Sequence, residues 1–281
     1  MASKSGRDPL YVTILIYAIL IVAATIAVYP VLRVVSISIR PGDMLHTTSL
    51  ALIPENATWG TYKELFTQQP FLRWLGNSLL VSFTVTVVGV SLASTAGYAF
   101  SRYRFIGRDF GMIALITTQM FPVTMLLLPL FLMLLHLQVY DTFLGLVIAY
   151  SATALPFCVW QMKGYYDTIP VSLEEAARID GCTQWQTFHI IVLPLAAPAL
   201  VITALFSFMS AWSEYLVAAV LVNDQNLFTL PLGLKLFQSA FDTQWGLYSA
   251  GAVVVSMPVV ILFLFLSRWL VSGLTLGGVK G

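Results

Sequence analysis

The chain has 281 residues, of which 58% are hydrophobic and only 10% are charged, against about 25% charged residues in soluble domains. The formal net charge of +1 gives no argument for a nucleic-acid partner, no basic cluster with interleaved aromatics is present, and two cysteines are too few for a zinc site of four. Apolar, charge-free runs long enough to cross a bilayer recur instead, so the chain reads as an all-α integral membrane protein.

Six spans are expected, near residues 10–34, 72–99, 109–134, 141–162, 196–222 and 247–271. Lys4 and Arg7 precede the first, whose apolar run exceeds the roughly 7–15 residues of a signal-peptide core, so it reads as a retained helix after a tail at 1–9. Lys and Arg set the orientation. With the N-terminus inside, the inner segments hold Lys4, Arg7, Arg102, Arg104, Arg108, Lys163, Arg178, Arg268 and Lys280, and the outer ones Arg33, Arg40, Lys63, Arg73 and Lys235. Both termini, including the tail 272–281, and the loop 163–195 are then cytoplasmic. Residues 35–71 and 223–246 form the longer outer segments, either as solvated connections or as landing surfaces for an external partner.

The loop 163–195 is a charged island between apolar runs. Ser172 with Glu175 three residues on predicts a capping box, with Val171 stapled onto Ala176. Glu174 and Glu175 favour the first turn by their charge, and Gly181 fits the position just past the helix end. A helix over Leu173–Asp180 follows. Thr183 and Gln186 predict a second start, and Trp185, Phe188, Ile191 and Val192 fall on one face of it before Leu193-Pro194. A two-turn helix does not hold itself in water, so Leu173, Ala176 and Ala177 must pack against something, with Glu175 and Asp180 orienting the contact. A hairpin lying on lipid headgroups is disfavoured, since Arg178 stands alone against Asp167, Glu174, Glu175 and Asp180.

Within the fifth span Glu214 is the one acidic residue, flanked by Trp212, Ser213 and Tyr215. It is a candidate to bond a substrate hydroxyl, to pair with a neighbouring helix or to relay a proton. Gln119, Tyr150, Ser210 and Trp212 supply further hydroxyl, amide and aromatic groups for a polar substrate pathway, or ordinary packing between helices. The glycines at 273 and 278 have the spacing of a phosphate loop, but Val279 stands where lysine is required and no helix follows. No carboxylate pair or nucleophile with a base converges, so no enzyme is argued, and any energy source lies in a partner or a gradient.

The spacing of Glu175-Ala176-Ala177, Gly181, Ile191, Leu193 and Pro194 resembles the cytoplasmic signature of the permease subunits of ABC importers. Ser36–Arg40, Leu52–Glu55, Tyr98–Phe105, Gln119–Pro122, Lys163–Tyr165 and the tail Arg268–Gly281 extend the likeness along nearly the whole chain, most closely to the MalG-type permeases of maltose and maltodextrin systems. The resemblance implies the six-helix type I importer (MetI-like) fold with a cytoplasmic coupling helix. It implies a second, MalF-like permease subunit, a dimeric cytoplasmic MalK-like ATPase that binds the ATP and Mg, an external sugar-binding lipoprotein or periplasmic protein, an oligosaccharide substrate and surrounding membrane lipid. This chain would carry no cofactor of its own. Ser172, Leu173, Glu174, Glu175, Ala176, Ala177, Asp180, Gly181 and Trp185 would contact the ATPase, and Asn223, Asp224, Gln225 and Asn226 the binding protein. Another sugar, a polyol or a glycerol phosphate fits the same architecture, and a proton-coupled secondary transporter built on Glu214 is the distant alternative.

Overall fold

The computed structural model describes residues 10–42, 53–239 and 243–276, with side chains to residue 267. All regular elements among the described residues are helical. In chain order they are α1 (Leu10–Ser38), α2 (Gly60–Thr67), α3 (Phe71–Arg102), α4 (Arg108–Thr118), α5 (Val123–His136), α6 (Phe143–Tyr166), α7 (Val171–Ile179) and α8 (Gln184–Thr187). A π-helical segment, Phe188–Val192, joins α8 to α9 (Leu193–Leu195), and α10 (Ala197–Trp212), α11 (Leu216–Leu221), a 3-10 turn (Gln225–Leu227), α12 (Leu230–Lys235) and α13 (Trp245–Leu276) follow.

Among the described residues, α1, α3, α6 and α13 are each long and apolar enough to span a membrane. The expected spans at 109–134 and 196–222 are not single helices. The first is α4 and α5, bent by 107° at a break over Gln119–Pro122. Pro122 enters α5 with an extended ψ of 131°, and the residue before a proline is itself pushed out of the helical region. The second follows a 78° bend between the α8–α9 stretch and α10, at Ala196, and then stops at Trp212. Counting each bent pair as one span gives six. Pro30, Pro129, Pro156 and Pro258 sit inside helices, as membrane helices tolerate when neighbouring groups satisfy the freed carbonyls.

Contacts divide the chain into a unit of residues 1–69 with 237–254 and a unit of residues 70–236 with 255–281. In the first, α1 buries only Ser36, Ile37 and Ser38. Ser38 Oγ and Tyr62 Oη lie 2.8 Å apart, and Thr58 N donates to Ile39 O at 2.8 Å, which seats α2 beside the end of α1. Within the segment 35–71, residues Gly60–Thr67 are therefore helical and packed against the end of α1.

In the second unit α3 packs along both α6 and α10. Small residues let the helices close up: a Cβ on Gly97 would fall 2.8 Å from Met162 Cβ and 2.9 Å from Lys163 N, and one on Gly89 2.9 Å from Ser207 Oγ. Small side chains are what membrane helices use to approach closely. Tyr98, Met162, Tyr166, Phe188, Val192 and Ala196 form the buried cluster at one end of this bundle. α3 runs on to Arg102, past the expected limit at 99, and α6 to Tyr166, past 162. Both extensions build the site below.

Candidate functional site

The end of the bundle where α3 and α6 finish carries the segment 167–195. α7 begins at Val171 with Pro170 as its cap residue (φ −59°, ψ 129°), and no side chain caps it. This corrects the expected capping box: Ser172 lies inside the first turn and is exposed, and the helix starts two residues before the predicted Leu173. Pro170 wins because its φ is fixed at the helical value and it has no N–H to satisfy. The other end follows the expected chemistry. Gly181 has φ +90°, Gly181 N donates to Arg178 O at 3.1 Å and Cys182 N to Ala177 O at 3.0 Å. This paired closure around a left-handed glycine is a Schellman motif.

The second start is also as expected. Gln186 N donates to Thr183 Oγ1 at 3.3 Å and Thr183 N to Gln186 Oε1 at 2.8 Å, a reciprocal capping box. The following helix does not end at Pro194. It widens into the π segment at Phe188–Val192 and continues to Leu195. Phe188 and Val192 point inward, Ile191 is half-buried and Trp185 is exposed, its ring 4.1 Å from that of His189.

Only Glu174 and Ala177 of α7 face the interior. Glu174 is 1% exposed. Its Oε2 accepts from Tyr98 Oη at 2.7 Å and its Oε1 from Arg102 Nε at 2.5 Å. Arg102 also donates from Nη1 to Ser101 Oγ and from Nη2 to Ile169 O, each at 2.9 Å. Ser101 Oγ donates to Asp167 Oδ1 at 2.6 Å, and Lys163 Nζ meets Asp167 Oδ2 at 2.6 Å. Burial works against the charge of Asp167, but the bonds from Lys163 and Ser101 outweigh it and hold the carboxyl below its ordinary value. Removing one partner of a buried pair such as Arg102–Glu174 strands a charge, at a cost of about 3–5 kcal/mol.

Glu174 thus differs from its exposed neighbours: its carboxylate is turned into its own chain and bonded there to Tyr98 and Arg102. Ala177 is buried with it. Ser172, Leu173, Glu175, Ala176, Asp180, Gly181 and Trp185 are all exposed. Val171, Ile179 and Ile190 add exposed apolar surface to them. Sequence reasoning did not find Tyr98, Ser101, Arg102, Lys163 and Asp167 as site residues. A signal existed for two of them, because Tyr98 and Arg102 stand four apart and so share one face of α3. A cleft of about 320 Å3 lies beside this joint, lined by Thr95, Tyr98, Ala99, Tyr103, Gln184, Trp185 and Phe188.

The segment 223–229 is tied down to its own chain. Asp141 Oδ1 accepts from Asn223 N at 2.9 Å and Asp224 N at 3.2 Å, and Asn223 Nδ2 bonds Tyr140 Oη. Asp224 Oδ1 accepts from Asn226 N at 2.9 Å, Arg73 donates to Asn226 Oδ1, and Asn77 Nδ2 donates to Asn226 O and Phe228 O at 2.8 and 2.9 Å. Asn223, Asp224, Gln225 and Asn226 are nevertheless exposed. Beyond them α12 buries Leu230, Leu232 and Leu234, and Gly233 lies against the Trp74 ring, so 223–236 is more than a solvated connection.

The pathway candidates lie in the α4–α5 break, on α6, and at or just beyond the end of α10. Gln119 sits in the α4–α5 break, where Nε2 donates to Thr153 O at 3.1 Å, beside a cavity of about 130 Å3 lined by residues including Thr118, Phe121 and Thr153. Tyr150 is buried, with its hydroxyl 3.5 Å from Glu214 O. Trp212 is buried, stacked on Phe208 at 5.4 Å, and donates from Nε1 to Val255 O at 3.1 Å. Ser210 is half-buried. Glu214 is not inside a helix: it lies in the gap before α11, and its Oε1 accepts from Val217 N at 3.0 Å.

Residues 74–276 match the family model described as "Binding-protein-dependent transport system inner membrane component". The chain is similar to the "Maltose/maltodextrin transport system permease protein MalG" of Photorhabdus laumondii subsp. laumondii, at 38% identity over 90% of each chain. It is similar to the protein of that name from Escherichia coli (strain K12), at 37% identity over 99% of this chain and 98% of the relative. A chain from the crystal structure of a bacterial ABC transporter involved in the import of the acidic polysaccharide alginate superposes with a TM-score of 0.81, over 95% of this chain and 99% of that one. At 24% identity that likeness shows the fold alone.

Proposed function

From the premise that the chain belongs to the family of binding-protein-dependent transport system inner-membrane components, we propose that it is the MalG-like permease subunit of an ATP-driven importer of maltose or maltodextrins. It forms half of the translocation pathway with a second, MalF-like permease. Two copies of a cytoplasmic ATPase bind the ATP and Mg, and an external sugar-binding protein delivers the substrate. The protein is a multi-pass membrane protein. In this reading it lies in a bacterial inner membrane with both termini and α7 on the cytoplasmic side, which the bias of Lys and Arg supports.

The observation that carries the reading is the division of α7 into two faces. Glu174 and Ala177 fix the helix to its own bundle, while Leu173, Glu175, Ala176, Asp180 and, beyond the glycine turn, Trp185 stay exposed. A short helix held rigidly from behind, with small and apolar residues in front, is suited to seat in a partner's cleft and to pass on its movement. The substrate class rests on the near-full-length identity to maltodextrin permeases. Asn223–Asn226 are available to the binding protein on the opposite side. The proton-coupled alternative is not favoured, because the Glu214 carboxylate is used as a backbone cap.

The test is reconstitution in proteoliposomes with the second permease, the ATPase and the binding protein. Uptake of labelled maltodextrin that requires ATP and the binding protein is the expected result. Uptake that follows a pH gradient without ATP, or a chain that binds no ATPase, overturns the proposal.

A further inference from the structure

Resting on the importer reading, we infer that Glu174, through Arg102 and Tyr98, is the joint that fixes the coupling helix to α3, and that α3 is the element that receives its displacement. The carboxylate is a positioning group: it acts through the helix that carries it and touches neither sugar nor nucleotide.

Three observations converge on this. First, α7 has nine residues, too few to hold a fixed direction alone, and of these only Glu174 and Ala177 are buried. Ala177 contributes one methyl group, so directional anchoring falls to the carboxylate, with α8 and the π segment as the other neighbours. Second, both oxygens of Glu174 are taken by side chains one helical turn apart on α3, Tyr98 and Arg102. Two bonds to two positions on one rigid element fix orientation as well as distance, which a single bond does not. Third, Arg102 is itself held by Ser101 Oγ and Ile169 O, and Ser101 reaches Asp167, so the end of α3, the link from α6 and the first turn of α7 close into one network.

The stretches on either side of α7 both break the helical path: one at Pro170, and the other in the turn at Gly181 with φ +90°. α3, by contrast, is a 32-residue helix packed against α6 and α10. A partner that moves α7 thus moves the bundle through Glu174. Without that contact the helix yields in place, and ATP is hydrolysed without a matching movement of the pathway.

The experiment uses Glu174→Gln in the complete reconstituted complex, with Tyr98→Phe as the milder variant and Glu174→Asp as the charge-retaining one. Sugar moved per ATP hydrolysed is expected to fall roughly tenfold or more in Glu174→Gln, as loss of a bond to a charged group implies, less in Tyr98→Phe, and to recover partly in Glu174→Asp. Hydrogen exchange of the amides 171–181 is expected to quicken, with α3 and α6 still protected. Unchanged exchange at 171–181 in Glu174→Gln, or uptake and hydrolysis falling in equal proportion, overturns the joint. Exchange needs neither sugar nor nucleotide, so it decides the joint even if the wild-type complex shows no ATP-driven uptake, a result that would sink the importer reading instead. Should Glu174→Gln fail to accumulate, Tyr98→Phe decides by the same two readouts.

Discussion

Replacing Gly97 with alanine tests whether the approach of α3 to α6 is set by one missing methyl group. The added Cβ would lie 2.8 Å from Met162 Cβ, 2.9 Å from Lys163 N and 3.2 Å from Met162 C. The last two are backbone atoms, so no rotamer change relieves the contact and the helices themselves must separate. Overpacking of this kind costs about 1–3 kcal/mol. Alanine is the better helix former by about 1 kcal/mol, which offsets part of that. A net loss of up to about 2 kcal/mol follows.

Gly164 and Gly76 supply the control, because a Cβ at either meets nothing within 4 Å. Alanine there is expected to be neutral or to stabilise by up to about 1 kcal/mol through propensity alone. Gly97→Ala and Gly164→Ala share the propensity gain and should therefore differ by about 1–3 kcal/mol, with Gly97→Ala the less stable. The assay is thermal unfolding of the full chain in one detergent, the three proteins side by side. Equal midpoints for the two variants would refute the close-approach argument. Because Tyr98 follows Gly97 directly, spreading α3 from α6 also moves the joint to Glu174, so Gly97→Ala should lose uptake more steeply than its stability loss alone explains.

Gly181→Val should abolish uptake while leaving the chain inserted: the site is sterically open, so the penalty is the left-handed backbone, about 1–2 kcal/mol or more for a β-branched residue. Gly181→Asn, which tolerates that backbone, should keep much of the activity, and wild-type uptake in the valine variant would refute the turn's role. For Asp167, whose carboxyl is held below its ordinary value, the stabilisation is present above the unfolded-state pKa and is lost as pH falls through the lowered folded value. Its side chain is 42% exposed, so the effect stays below about 1 kcal/mol after solvent screening. Acid titration of unfolding should show a shallower low-pH loss in Asp167→Asn than in wild type, and identical slopes would remove the pair from the account.

Much of this architecture was legible from local signals. Charge-free apolar runs locate the long helices, since only such runs cross a bilayer unaided. Gly181 and the Thr183–Gln186 box are read directly, because each depends on residues within one turn of itself. Where two local signals compete, the reading failed: Ser172 with Glu175 spells a cap, yet Pro170 stands just before it and sets the backbone first. The breaks at Gln119–Pro122 and Ser213–Tyr215 were missed for a related reason, since composition averages over a window that a bend does not alter.

The joint itself could not be read, and its hidden part is the physically decisive one. Glu174 and Glu175 are adjacent acids in the same turn, and nothing local distinguishes them. Tyr98 is 76 residues from Glu174 and Arg102 is 72, so the choice of which acid turns inward depends on where α3 ends and how closely α6 lets it approach. Asn223, Asp224 and Glu214 make the same point from the other direction. Each is a polar residue near an apolar run and so reads as a ligand for something outside the chain, yet each is bonded to backbone or side chains of the chain itself. Where water is scarce, breaks in a helix need polar partners as much as substrates do. A polar residue beside a break is therefore weak evidence of a binding site until its bonds within the chain have been counted.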